Sequence, residues 1–352
     1  MSVVHFIAMD THSHSTDICV KTRANGPGRR FRVATTIPAI REALEKVARP
    51  RKLTFEEGPL ADWLWRNLRG DVEEAVVCDP RKNALVAKDG DKDDPIDAEK
   101  LCDLFIGGFV RKVHHPESLM RQVTKQTVGL YHERVGHRVA ESNKVIGQFK
   151  RWGVIIGEKH FQDAGGREGL LEKLGDSPEG KVVGGHMELL WSGYDEAVRQ
   201  EKQLHREVVR LAKGDEQVAR WEALPGIGWI RGLTALVYLD TPWRFKSKQA
   251  LWKYMGIGLV RERSGEGPAF VHVELAANRT LKSMIVGAAE SAIRQGSNPF
   301  AEQFAKWMES GLSRRNSRRN VARSMSGVMW GMWKNGGKYD PELVGRASAG
   351  AG

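Results

Sequence analysis

An α/β first third followed by a helical remainder is the fold class this sequence predicts, and two patterns carry the prediction. Short β-branched and apolar runs alternate with turn residues up to about residue 114, and from about His115 apolar residues recur three and four apart on a polar background. With 352 residues, 41% hydrophobic and 28% charged, the chain is long enough for two or three packed domains and too apolar for general disorder.

The elements follow in order. "VVHFIAMD" is an apolar run ending at Asp10, and "TDICVKTR" and "RRFRVATT" have strand-like content on either side of the turn "NGPG", so a meander opens a sheet. "RKLTFEE" and "EEAVVCD" read as further strands separated by the helical "LADWLWRNLRG", a strand-helix-strand order that suggests a parallel element. The acidic "KDGDKDDPIDAEKL" then leads into a helix with Ala98, Leu101, Cys102 and Phe105 on one face. Val128, Tyr131, Val135, Val139, Val145, Phe149 and Trp152 follow rough heptad spacing, and a second helical pattern runs from about Glu188 to Ala212. Joined by a glycine-rich connection, these two would form a coiled-coil hairpin, either a dimerisation arm or a spacer packed on its own domain. From Gln217 onward come "LPGIGWIRGLTALVYL", the Gly- and Ser-rich "GIGLVRERSGEGP", and a helical end whose Val321, Met325, Val328, Met329 and Met332 form a core stripe. The expected divisions are 1–114, 115–216 and 217–343, with 344–352 a disordered tail.

Charge narrows the partners. A formal net charge of +11 favours a polyanion, nucleic acid before an anionic membrane, because no apolar run approaches the roughly 20 residues of a spanning helix. Cys19, Cys78 and Cys102 are odd in number and widely spaced, which suits reduced thiols, and a cytoplasmic, nucleoid-associated location is expected.

Against that positive background the acidic residues stand out. Asp10 and Glu56 fall at predicted strand ends, where carboxylates converge on ligands, and Asp94 and Asp97 lie three apart on one helix face. Four carboxylates held together suit Mg²⁺, a hard cation that takes oxygen ligands. Capping is the competing account: Asp94 before Pro95 makes an N-cap and N1 pair, and Asp97 at N3 complements the helix dipole. "LPGIG" resembles a helix-hairpin-helix turn in which Gly226 and Gly228 let backbone N–H groups approach a phosphate, with an ordinary interhelical turn as the alternative. Ser264, flanked by Arg261 and Arg263, could attack a phosphodiester while the guanidinium groups stabilise developing charge. Arg314, Arg315, Arg318 and Arg319 in "SRRNSRRNVAR" form a basic helical run suited to a nucleic-acid backbone or to a solvated face.

In order, "FIAMD", "TFEEG", "DKDDPIDAEKL", "LPGIGWIRGLTAL", "RFKSKQALWKYMGIGL", "RSG" and "NRTLKSMIVGAA" resemble the DEDD-type transposases of the insertion-sequence-110 family. The resemblance implies an N-terminal RuvC-like domain of the ribonuclease H fold, a helical coiled-coil linker and a mostly helical C-terminal serine transposase domain. It implies that Asp10, Glu56, Asp94 and Asp97 bind Mg²⁺, that Ser264 forms a phosphoserine linkage with DNA, and that Lys282 joins the nucleic-acid contacts. It further implies a structured noncoding guide RNA and a homo-oligomer, dimer or tetramer, with active sites composed across protomers. "EEG" stands where Glu-x-x-Gly is usual, which makes Glu57 an alternative to Glu56, and "GLVRERSG" lacks a proline often found before the serine. His12 and His14 beside Asp10 are expected to be polar loop residues. The competing functions are a metal-dependent nuclease of the Holliday-junction-resolving type and a non-catalytic nucleic-acid-binding protein.

Overall fold

The computed structural model describes residues 3–80, 94–262, 270–273, 277–342 and 344. They form two compact units, residues 1–119 and 120–352.

The first unit is built on β1 (His5–Thr11), β2 (Ser15–Lys21), β3 (Arg29–Ala34), β4 (Arg51–Glu56) and β5 (Glu74–Cys78), ordered β3-β2-β1-β4-β5 across one sheet. β1, β2 and β3 form the expected antiparallel meander, and β4 and β5 run parallel to β1. Strand alternation sends Ile7, Met9, Ile18, Val20, Leu53 and Phe55 to one face, under α1 (Ile37–Glu45) and α2 (Ala61–Leu68). Ala8, Cys19, Val76 and Cys78 go to the other, where α3 (Asp94–Ile106) lays down Ala98, Leu101, Cys102 and Phe105. Helices on both faces explain why β1 is apolar without a break from Phe6 to Met9. The helix α1 has no counterpart in the sequence reading, although Thr36 caps it by accepting from Ala39 N–H and Pro38 occupies its first turn.

One buried cation fixes α3 to the sheet. Lys21 Nζ lies 2.8 Å from Asp103 and 2.9 Å from Glu99, with only 1% of its side chain exposed. Arg30, beside Cys19 on β3, pairs with Glu99 as well.

In the second unit α4 (Leu119–Arg151) and α6 (Pro178–Lys213) pair along their length, with the short α5 (Ala164–Glu172) packed near their junction. Arg138 meets Glu201, Arg134 meets Gln200 and Phe149 stacks on Trp191, so the two helices are antiparallel. The helical pattern after Glu188 thus begins ten residues earlier, at Pro178 behind its Ser177 cap, while Val139 and Trp152 of the heptad series are 43% and 40% exposed. The remaining helices are α7 (Glu216–Glu222), α8 (Trp229–Leu239), α9 (Lys248–Tyr254), α10 (Arg279–Gln295), α11 (Pro299–Glu309) and α12 (Arg314–Asn335), with a hairpin of β6 (Leu259–Glu262) and β7 (Phe270–Val273). Val321, Met325, Met329 and Met332 are buried as the stripe predicts, and Trp221 crosses the core to donate from Nε1 to Met329 O at 3.0 Å. Of the expected tail, Val344 is buried and accepts a hydrogen bond from Gln303, and the rest lies outside the described residues. Cys19, Cys78 and Cys102 are buried free thiols, and among the described residues no helix is long and apolar enough to cross a membrane.

The Lys21 anchor yields a test. Burial works against its charge, but hydrogen bonds to Asp103 and Glu99 outweigh this and raise its pKa, while the bond to Lys21 holds Glu99 below its ordinary value of 4.5. Lys21→Met is expected to cost roughly 1–3 kcal/mol at neutral pH. Because Glu99 is depressed, the stability it contributes is complete above its unfolded value and disappears as pH falls through the folded one. Urea unfolding of wild type and variant should differ near neutrality and converge below the carboxylate range.

Candidate active site

Register alone brings Asp10 and Glu56 together. Met9 is paired with Phe55 in the parallel β1/β4 ladder, so the next residues along, Asp10 and Glu56, stand on adjacent strands about 4.8 Å apart. Both point away from the Met9/Phe55 core, toward the face that α3 covers. Glu56 is paired with Cys78, which belongs to that face, whereas Glu57 lies beyond the strand and donates its backbone N–H to Cys78 O. Alternation therefore favours Glu56 over Glu57 as the neighbour of Asp10.

The helix α3 completes this end of the unit. Phe105 packs on Phe6 and Cys102 donates to Phe6 O, while Ala98 packs in one cluster with Ala8, so the helix runs back along β1. Its N-terminus, with Asp94 and Asp97, thereby comes to the carboxyl end of β1. The Asp97 side chain is exposed, and that of Asp94 is outside the described residues. The helix start contributes positive dipole charge beside the carboxylates, and the helix-capping role of Asp97 is compatible with this placement. Among the described residues no three His, Cys, Asp or Glu side chains are close enough to hold a metal ion. The donor chemistry nonetheless suits a hard cation: Asp10, Glu56 and Asp97 offer carboxylate oxygens and no thiolate. His12 Nε2 lies 3.3 Å from Asp10 Oδ2 with the ring 48% exposed, which agrees with a polar loop position beside the site.

The strand register also reveals an acid that the sequence reading passed over. Asp17 is the direct cross-strand partner of Asp10, and Arg32 is the partner of Asp17. Arg32, Asp17, Asp10, Glu56 and Cys78 form one row across the whole sheet. The tight "THSHS" connection between two alternating runs is the signal that could have placed Asp17 there.

In the second unit Ser264 and Arg263 fall outside the described residues, but the elements around them are clear. β6 and β7 flank residues 263–269 as the two arms of a hairpin, a pairing hidden within the Gly- and Ser-rich reading. Arg261 is exposed on β6. The approach to β6 is held by α12, where Arg323 Nε donates to Ile257 O at 2.7 Å and Arg323 O accepts from Trp252 Nε1. Burial and the neighbouring Arg319 push the Arg323 pKa down. Gly258 is tightly packed here, since a Cβ would sit 2.6 Å from Lys253 N. Lys282 of α10 is partly buried beside Gly256. In the basic run, Arg314 and Arg318 reach Glu290 at 2.9 and 3.4 Å, so one carboxylate of α10 ties down two of the four cations. Arg315 is exposed and Arg319 partly buried.

Between α7 and α8, "LPGIG" forms the expected interhelical turn, and its two glycines differ. Gly226 has φ +83°, and a Cβ there would lie 2.2 Å from Ala288 O, so helix packing requires it to be glycine. Gly228 precedes α8 with open space where a Cβ would go.

Residues 219–305, which run from within α7 to within α11 and include the β6–β7 hairpin, match a transposase family described as IS116/IS110/IS902. This segment carries the domain of that family. The chain is also similar to a protein named as the transposase y4pF/y4sB of Sinorhizobium fredii, 23% identical over 253 residues, or 70% of this chain and 64% of that one. It is 20% identical over 246 residues to a transposase for the insertion sequence element IS1111A of Coxiella burnetii, covering 68% of this chain and 66% of that one. The chain thus spans just under two thirds of the length of these relatives. The resemblance to insertion-sequence-110-family transposases is borne out, with the family domain lying in the second unit.

The glycine contrast is testable. Gly226→Ala should destabilise the second unit by roughly 2–4 kcal/mol through positive φ and backbone overlap, whereas Gly228→Ala should stay within about 1 kcal/mol. Tryptophan-monitored urea unfolding distinguishes the two.

Proposed function

We propose that this chain is a DNA transposase that cuts and rejoins DNA, with Ser264 as nucleophile and a Mg²⁺ site at Asp10, Glu56, Asp94 and Asp97. The observation that carries it is the meeting of Asp10, Glu56 and the start of α3 in a chain whose residues 219–305 match a transposase family. The strand order β3-β2-β1-β4-β5, antiparallel only through β2 and β3, supports the RuvC-like ribonuclease H reading of the first unit.

A hard divalent cation held by these oxygens supplies charge neutralisation for an incoming phosphodiester. The chain's own residues do the rest. Asp10 and Glu56 are presented from rigid, register-locked strands, and Lys21 keeps α3, and with it Asp94 and Asp97, against the same end of the sheet. Ser264 Oγ attacks phosphorus: the Oγ–P bond forms, the P–O bond to one sugar breaks, Oγ gives up its proton and the departing sugar oxygen takes one up. Because one phosphoester replaces another, the reverse reaction can rejoin a strand without an outside energy source. Arg261 and Arg263 would stabilise charge on the phosphate oxygens. Lys282, Arg315 and Arg319, with Gly228 at the open start of α8, would contact the nucleic-acid backbone. A structured guide RNA and assembly as a dimer or tetramer extend this proposal through the family resemblance.

The test is a denaturing gel of the protein with Mg²⁺, RNA from its native locus and labelled element-end DNA. Wild type should yield a covalent protein–DNA adduct and Ser264→Ala none, with DNA binding retained. Asp10→Asn and Glu56→Gln should lower adduct formation at least a hundredfold while leaving the fold intact. An adduct persisting in Ser264→Ala would refute the nucleophile, and cleavage without an adduct would indicate the resolving-nuclease alternative.

A further inference from the structure

Asp17 is a buried acid placed where another acid already stands. It is 5% exposed, and its Oδ2 is buried without a hydrogen-bond partner among the described residues. Its cation, Arg32, approaches only to 3.8 Å, with 60% of the guanidinium side chain exposed and its Nη2 donating to Ser15 Oγ. Asp10 stands directly across the strand pair from it, on the same face. Two carboxylates opposite one another are unfavourable, and one with a buried oxygen that accepts no hydrogen bond more so, unless positive charge compensates them. One long contact to an exposed guanidinium does little of that.

The shared row offers the compensation. A cation held by Asp10 and Glu56 would lie one strand away from Asp17. This is too far for direct ligation, but suited to a carboxylate accepting hydrogen bonds from the water that Mg²⁺ ordinarily keeps. We propose that Asp17 is a positioning residue of the metal site, an outer carboxylate that orients a metal-bound water and the Asp10 side chain. The proposal rests on the metal reading above. It accounts for the buried oxygen, for the pairing with Asp10, and for a counter-ion kept at arm's length.

The test uses the full chain and Mn²⁺ alone as probe, with affinity measured by calorimetry and by the electron paramagnetic resonance of free Mn²⁺, beside thermal melts without metal. Asp17→Asn should bind Mn²⁺ about 10–100-fold more weakly than wild type, while its metal-free melt is unchanged or raised by relief of repulsion. A lowered metal-free melt with Mn²⁺ affinity within about twofold of wild type would make Asp17 a structural partner of Arg32 and overturn the proposal. Should Asp17→Asn fail to fold, Asp17→Ser answers the same question: the proposal expects Mn²⁺ binding weakened by a similar factor, and binding within about twofold of wild type overturns it. Asp10→Asn separates the two claims. If it abolishes Mn²⁺ binding and Asp17→Asn does not alter it, only the role of Asp17 fails; if wild type binds no Mn²⁺, the metal site fails and Asp17 with it.

Discussion

The parallel ladder between β1 and β4 is the constraint on which the first unit depends. Shifting it by one residue would turn Phe55 out of the core and Glu56 into it, exchanging the two faces of the strand. The burial of Ile7, Met9, Leu53 and Phe55 on one face therefore locks the acidic pair onto the other. Hydrophobic packing under α1 and α2 is what sets the geometry of a polar site on the opposite side of the sheet.

The same economy governs charge. A chain of net charge +11 concentrates carboxylates at the end of one sheet and matches some of them internally. Lys21 is used to hold α3, and Glu290 gathers Arg294, Arg314 and Arg318 on the second unit. At the carboxyl ends of β1 and β4 stand Asp10, with His12 beside it, and Glu56, whose mutual repulsion a divalent cation would offset. Under the proposed function such a cation would also link negative protein groups to negative phosphate, so that a basic protein and an acidic site would serve one substrate.

Much of this was legible in local pattern. Asp10 and Glu56 could be placed at strand ends because alternation and β-branched runs mark strands within a few residues, and the Val321 to Met332 stripe was recognisable as core by its helical spacing. Non-local pairing was not legible. Asp17 looks like any polar residue at the start of a strand until the hairpin register sets it against Asp10. The β6–β7 hairpin was hidden because "LVRE" and "FVHV" are only four residues each and pair across a glycine-rich stretch. The first turns of α6 carry Gly180, Gly184 and Gly185, which weaken the helical signal, yet Val183 and Met187 are buried there and packing overrides propensity. Val139 fits the heptad by spacing but faces solvent, since one partner helix buries only one stripe, and Trp152 falls just past the end of α4. For Gly226, a composition suited to phosphate approach coincides with a packing demand from Ala288, and spacing alone does not separate the two.

The measurement that bears most directly on the central claim is anomalous diffraction from crystals soaked in Mn²⁺. The account predicts a peak within coordinating distance of both the Asp10 and Glu56 carboxylates, at the carboxyl ends of β1 and β4 and beside the start of α3. Full Mn²⁺ occupancy elsewhere with no peak at that position would contradict it, leaving the acidic residues as caps and turn formers.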